Sequence, residues 1–212
     1  MTYNEILINL ISRYPALDVC KEDILNAYLL LKETFKNGNK LLLAGNGGSA
    51  ADCEHIAGEL LKSFRKKRNP KLEISDNLEK FFGKDGVILA GKLETGFPAI
   101  PLCSFISFLT AYINDSDPDA VFAQLVNNLG CKNDVLFVIS TSGNSINIIN
   151  SVMTAKALGL KTISLTGISG GSLNNLCNVI IKVPSNETYI IQEYHLPIYH
   201  SICEMLENDL FE

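Results

Sequence analysis

The chain has 212 residues, 47% of them hydrophobic, and a formal net charge of −5. That length matches one α/β domain able to bury a substantial core, and the acidic balance lacks the basic stripe that nucleic-acid binding needs. Six cysteines without a Cys-x-x-Cys pair argue against a disulfide frame or a zinc ribbon and fit free thiols in a reducing cytosol. No apolar run reaches the roughly 18 residues of a membrane span, and the start Met-Thr-Tyr-Asn-Glu-Ile-Leu is too acidic for a signal peptide. A soluble cytoplasmic protein is expected.

The chain opens with two amphipathic helices, 3–13 and about 20–36, with Ile6, Leu7, Leu10 and Ile11, then Ile24, Ala27, Leu30, Leu31 and Phe35 at helical spacing; Asn37-Gly38 closes the second. Their apolar faces need a partner, and a second copy of the chain is expected to supply it. A strand at 40–44 runs into the turn Gly45-Asn46-Gly47-Gly48-Ser49 and a helix near 49–64. The basic run Lys62 to Arg68 reads as a solvated helix end. From Lys66 to Phe97 the pattern turns polar, with one helical signal at Asp76–Phe82 and an apolar patch at Val87–Ala90, and reads as an irregular insertion. Strands follow at 99–102, 134–139, 161–165 and 178–183, alternating with helices near 104–113, 117–129 and 145–158, which predicts a parallel sheet covered on both faces. The last helix, 188–209, contains Pro197, which should kink or loosen it.

Two turns carry chemistry. In the first, small residues leave backbone N–H groups and the Ser49 hydroxyl free to face an anion at a helix N-terminus. One helix face then presents His55 and Glu59 at i, i+4. A glycine-rich turn is common in any α/β protein, an exposed His/Glu pair is more often a solvated face, and neither Gly-x-Gly-x-x-Gly nor a Walker loop is present. The second turn changes the balance: Ser140, Thr141, Ser142 and Ser145 put four hydroxyls between a strand and a helix, where N-capping needs one, and suit the oxygens of a phosphate. All three histidines, His55, His195 and His200, lie on the two helices rich in carboxylates and amides. A lone buried helix histidine is the commoner case, yet His55, Glu59, Gln192 and His200 together are ligand types suited to Zn²⁺ or a similar divalent ion. On an ideal helix Gln192 and His200 lie about 12 Å and about 80° apart, so both meet one ion only at full extension or from an irregular helix start.

Ala-Gly-Asn-Gly-Gly-Ser with His-x-x-x-Glu, Ile-Ser-Thr-Ser-Gly-Asn-Ser, and Ile-Gln-Glu-x-His-x-x-x-x-His, in that order, resemble the sedoheptulose-7-phosphate isomerase (phosphoheptose isomerase) family of the sugar isomerase (SIS) superfamily. The resemblance implies one SIS domain over 1–212, interrupted at about 66–97: a flavodoxin-like three-layer α/β sandwich with a central parallel sheet, N-terminal helices for oligomerisation, and a homotetramer with active sites at subunit interfaces. It implies conversion of sedoheptulose 7-phosphate to D-glycero-D-manno-heptose 7-phosphate through a cis-enediol, an early step toward nucleotide-activated heptose. It places a divalent metal, zinc first, on His55, Glu59, Gln192 and His200. It places substrate contacts on Asn46, Gly47, Gly48, Ser49, Asn114, Asp115, Ser140, Thr141, Ser142, Ser145 and Gln192, and makes Glu59 and His200 the acid/base pair. Family members commonly carry an arginine where this chain has Ile190, and an aspartate near Glu187-Thr188-Tyr189, which leaves the exact sugar open. A sister group with similar motifs acts as an adaptor for the bacterial replication initiator, and a phosphosugar-sensing module is a third reading; retention of all four ligand positions favours the enzyme.

Overall fold

The computed structural model describes residues 2–211. Five segments form the strands β1 (Leu41–Gly45), β2 (Ala99–Pro101), β3 (Val135–Ile139), β4 (Lys161–Thr166) and β5 (Val179–Lys182). Every pairing is parallel and the order is β2-β1-β3-β4-β5, the flavodoxin-like doubly wound arrangement. β1 and β3 pair from Leu41 opposite Val135 to Gly45 opposite Ile139, so both strands end level. The helices are α1 (Tyr3–Arg13), α2 (Lys21–Lys36), α3 (Gly48–Leu61), α4 (Leu72–Ala90), α5 (Ile106–Asp115), α6 (Val121–Leu129), α7 (Ile146–Ala157) and α8 (Thr188–Leu210).

Because successive strand residues point to opposite faces, β1 sends Leu41 and Leu43 into a core shared with α1, α2, α3 and α8, and Leu42 and Ala44 into one shared with α6 and α7. Both faces of the sheet are covered, and buried residues fill β1 and β3 throughout. α8 is continuous through the buried Pro197. Among the described residues no helix is long and apolar enough to cross a membrane.

Three expectations are corrected. The apolar faces of the first two helices need no second copy for cover: Ile6, Leu7 and Leu10 of α1 and Ile24, Ala27, Tyr28 and Leu31 of α2 are buried inside the chain, where α1 and α2 pack on α8. The segment expected to be irregular carries α4, a helix bent back on itself where Gly83 takes φ +54°. That bend, with Gly86 lying against the Leu78 carbonyl, splits one helical period into two short ones and hides it from a sequence scan. The basic run is solvated at Lys62, Arg65, Lys66 and Lys67 but not at its last residue, since Arg68 is 1% exposed. Its guanidinium packs over the rings of Phe97 and Phe211, which also pack on each other with centroids 4.9 Å apart.

Candidate active site

In a doubly wound sheet, ligands bind beyond the carboxyl ends of the strands where the order reverses, here between β1 and β3. The glycine-rich turn leaves β1 and the hydroxyl turn leaves β3 at that point. Asn46 and Asn147 join the two turns through reciprocal amide hydrogen bonds of 3.0 Å. Gly47 caps α3 with φ +55°, and the Ser49 and Ala50 N–H groups donate to the Asn46 and Gly47 carbonyls at 3.0 and 3.1 Å. Ser140 Oγ lies 3.4 Å from Ser145 Oγ, and Ser142 Oγ accepts from Asn144 N at 3.2 Å. Asn144 in turn accepts from the Ser172 N–H and hydroxyl at 2.9 and 3.0 Å, bracing the hydroxyl turn against the loop that follows β4.

Gln192, near the start of α8, lies over the start of α3: a Cβ at Gly48 would stand 2.8 Å from Gln192 Nε2. Seven residues later on α3, His55 meets His200, eight residues past Gln192 on α8. The two helices therefore run in the same direction, and Gly48, beside the Gln192 amide, precedes His55 by about 10 Å of helical rise. The amide's partner there is the glycine turn.

The second cluster is His55, Glu59 and His200. His55 Nε2 stands 3.2 Å from His200 Nε2 and 3.3 Å from Glu59 Oε1. The other carboxylate oxygen, Oε2, accepts from Lys62 Nζ at 3.1 Å. On its far side, His55 Nδ1 lies 3.1 Å from the Tyr199 hydroxyl, which also lies 3.1 Å from Asp52 Oδ1. Burial lowers the pKa of His200, with His55 and Arg13 adding to the shift and Glu59 opposing it. Burial raises the pKa of Asp52, and the bond from Tyr199 opposes that shift. Among the described residues no three or more His, Cys, Asp or Glu side chains are drawn together as a finished metal cage. The structure instead has two donor pairs sharing His55. Tetrahedral zinc with bonds of about 2.0–2.1 Å sets neighbouring donors about 3.3 Å apart, so the type and spacing of these donors fit a divalent ion.

The end of α3, which carries Glu59, is fastened to α8. Arg68 Nε donates to Glu207 Oε1 at 2.8 Å and Nη1 to the Leu60 carbonyl at 2.9 Å. Glu207 also accepts the backbone N–H groups of Phe64, Arg65 and Lys66 at 2.8, 2.7 and 3.0 Å. Asn114 and Asp115 close α5 and bond each other at 2.8 Å, without a hydrogen bond to either cluster. His195 is the buried core histidine of the set, 0% exposed, with neither ring nitrogen hydrogen-bonded.

A family model described as "SIS domain" matches residues 98–167. Over 194 residues the chain is 41% identical to the phosphoheptose isomerase of Aliarcobacter butzleri, covering 92% of this chain and 89% of that protein. It is 42% identical to phosphoheptose isomerase 2 of Campylobacter jejuni over 188 residues, 89% of this chain and 81% of that one. The chain belongs to the phosphoheptose isomerase family. The solved phosphoheptose isomerase of Francisella tularensis superposes with a TM-score of 0.76 at 31% identity, covering 97% of this chain and 95% of that one. That of Neisseria gonorrhoeae gives 0.74 at 31% identity, over 95% and 93%. The chain is thus an isomerase acting on a phosphosugar, built on the SIS fold.

Sequence reasoning missed several residues that shape this isomerase's site. Asn147, Asn144 and Ser172 look like ordinary loop and helix-start residues, and only the amide pairing with Asn46 reveals the first. Tyr199 and Asp52 carried one available signal: each lies one to three residues from a singled-out histidine.

Proposed function

We propose that this isomerase interconverts sedoheptulose 7-phosphate and D-glycero-D-manno-heptose 7-phosphate. The observation that carries the reading is the separation of the two clusters. The hydroxyl and glycine turns lie at the start of α3 and the His55–Glu59–His200 cluster two helical turns further along, about 10 Å away. A stretched seven-carbon chain with its phosphate on one end spans such a gap, putting C1 and C2 beside the acid/base pair. Ser140, Thr141, Ser142, Ser145 and the N–H groups of Gly47 and Gly48 grip the phosphate, and Asn46, Ser49 and Gln192 line the path between. On the family pattern Asn114 and Asp115 add contacts to the sugar.

Ketose-to-aldose conversion takes a proton from C1 and returns one to C2. Glu59 moves that carbon-bound proton across one face of a cis-enediol. His200, whose burial favours the neutral imidazole, gives a proton to the carbonyl oxygen on C2 and receives the one leaving the hydroxyl on C1. The two Glu59 oxygens have different neighbours, Oε1 toward His55 and Oε2 toward Lys62, which lets one oxygen hold a cation while the other handles the proton. His55, Glu59 and His200 would hold a divalent metal, zinc by donor type, with Gln192 left to the substrate. Bound there, the ion supplies positive charge against the developing enediolate oxygens. We place the enzyme in the cytoplasm, a setting consistent with six free cysteines, as a homotetramer.

The test is turnover of sedoheptulose 7-phosphate by the purified protein, before and after chelation, with metal content measured on the same sample. Turnover that chelation abolishes and Zn²⁺ restores is expected. Turnover of a shorter ketose phosphate in preference would overturn the substrate, and undiminished turnover in metal-free protein would overturn the metal.

A further inference from the structure

Tyr199 stands between Asp52 and His55 with 1% of its surface exposed. Its hydroxyl oxygen is 3.1 Å from Asp52 Oδ1 and 3.1 Å from His55 Nδ1, and its ring meets the imidazole edge-on with centroids 5.5 Å apart. One phenolic hydrogen faces two neighbours, and an ionised carboxylate offers only acceptor oxygens. The hydroxyl hydrogen therefore goes to Asp52, and the hydroxyl oxygen accepts the hydrogen on His55 Nδ1. A neutral imidazole protonated at Nδ1 has a bare lone pair at Nε2. Nε2 is the nitrogen that faces His200 Nε2 at 3.2 Å and Glu59 Oε1 at 3.3 Å.

We propose that Asp52 and Tyr199 form a hydrogen-bond relay that locks His55 in its Nδ1-protonated tautomer, holding Nε2 open as a donor to a divalent cation. The inference rests on the cation site proposed above, and it names two residues to which neither the motifs nor the family pattern assigns a role. Tyr199 and Asp52 are positioning residues, acting only through the imidazole. In the free protein a bare His55 Nε2 accepts the hydrogen on His200 Nε2 at 3.2 Å, while Glu59 Oε1, 3.3 Å away, receives no hydrogen from it; a cation between that lone pair and the carboxylate would satisfy both. Outer partners of ligating imidazoles fix ring orientation and tautomer in this way, and their loss typically lowers metal affinity about 10–100-fold.

The test begins with nitrogen NMR of the metal-free full chain carrying ¹⁵N-histidine, the His55 signals being identified by their loss in His55→Gln. The hydrogen is expected on Nδ1 in the unsubstituted chain. In Asp52→Ala the tyrosine hydrogen turns to His55 and the ring hydrogen moves to Nε2. Zn²⁺ affinity, measured by competition with a chromogenic chelator, is expected to fall about 10–100-fold in both Tyr199→Phe and Asp52→Ala, with unchanged circular dichroism. Hydrogen on Nε2 in the unsubstituted chain overturns the proposal, as does unchanged Zn²⁺ affinity in Tyr199→Phe. An unsubstituted chain that binds no Zn²⁺ but keeps hydrogen on Nδ1 overturns the cation site and upholds the relay.

Discussion

At the scale of single residues, the three histidines show how environment divides one side chain among different tasks. His55 and His200 face each other across 3.2 Å beside Glu59, while His195, five positions before His200 on α8, is sealed in the core. On the proposed mechanism, Glu59→Gln keeps shape and removes the base, and His200→Ala removes the group that moves oxygen-bound protons. Each is expected to lower kcat at least about 100-fold, the low end of what a positioned acid or base contributes, with thermal unfolding unchanged; turnover near the original level in either would remove that residue from the mechanism. His195 works on stability instead. Burial pushes its pKa down from 6.5 to about 4. The unfolded chain therefore takes up a proton at a pH where the folded chain does not. The stability His195 confers is complete above about pH 6.5 and lost as pH falls toward 4, by about 3 kcal/mol at one pKa unit per 1.36 kcal/mol. Urea unfolding at pH 7 and pH 4.5 should show the loss, and His195→Leu should flatten it; an equally steep pH dependence in the variant would assign the effect elsewhere.

At the scale of elements, the end of α3 matters most, because Glu59 lies in its last turn and a helix end leaves carbonyls unpaired. Arg68 covers the Leu60 carbonyl and ties it to Glu207, two turns past His200 on α8. Removing one partner of a buried ion pair strands the other charge, at a typical cost of about 3–5 kcal/mol. Arg68→Met is expected to lower unfolding stability by that amount, and Arg68→Met with Glu207→Leu by less than the two single losses added together. Additive losses in a double-mutant cycle would show that the two side chains act separately. This lock was illegible in the sequence. A run of Lys and Arg looks like a solvated surface, and only Phe97, Phe211 and Glu207, placed around it by the fold, make Arg68 a core residue. The strands were legible nearly to the residue, since β1 and β3 are unbroken apolar runs and β4 alternates Ile163 and Leu165 with polar residues before a turn. The His55/Glu59 pair and the hydroxyl turn were legible because their spacing is local. Tyr199 and Asp52 were not, because a tyrosine on an apolar helix face gives no sign of which side chain its hydroxyl will meet.

At the scale of the whole molecule, apolar surface left uncovered points to assembly. α5 buries none of its ten residues within the chain, although Ile106 (70% exposed) and Ile113 are large and apolar. α4 adds Leu72, Phe81, Phe82 and Ile88, all more than half exposed. Exposed apolar surface of this kind marks a protein interface, and a closed assembly of identical copies is the commonest way to bury it. α4 and α5 are therefore the faces tested first for the proposed homotetramer, although Ile8 of α1 and Leu29 of α2 also stay exposed. Asn114 and Asp115, expected to touch substrate, end α5 and hydrogen-bond only each other in the single chain. Assembly through α5 would bring another copy to them. Ile106→Glu puts a charge where burial within the chain is slight, so the monomer's circular dichroism and unfolding should hardly change. Light scattering is expected to report dissociation, and KM for the sugar phosphate to rise with it. A variant that stays tetrameric at micromolar concentration would move the interface away from α5. One that dissociates with KM intact would show that each chain holds a complete site, with Asn114 and Asp115 playing no part in it.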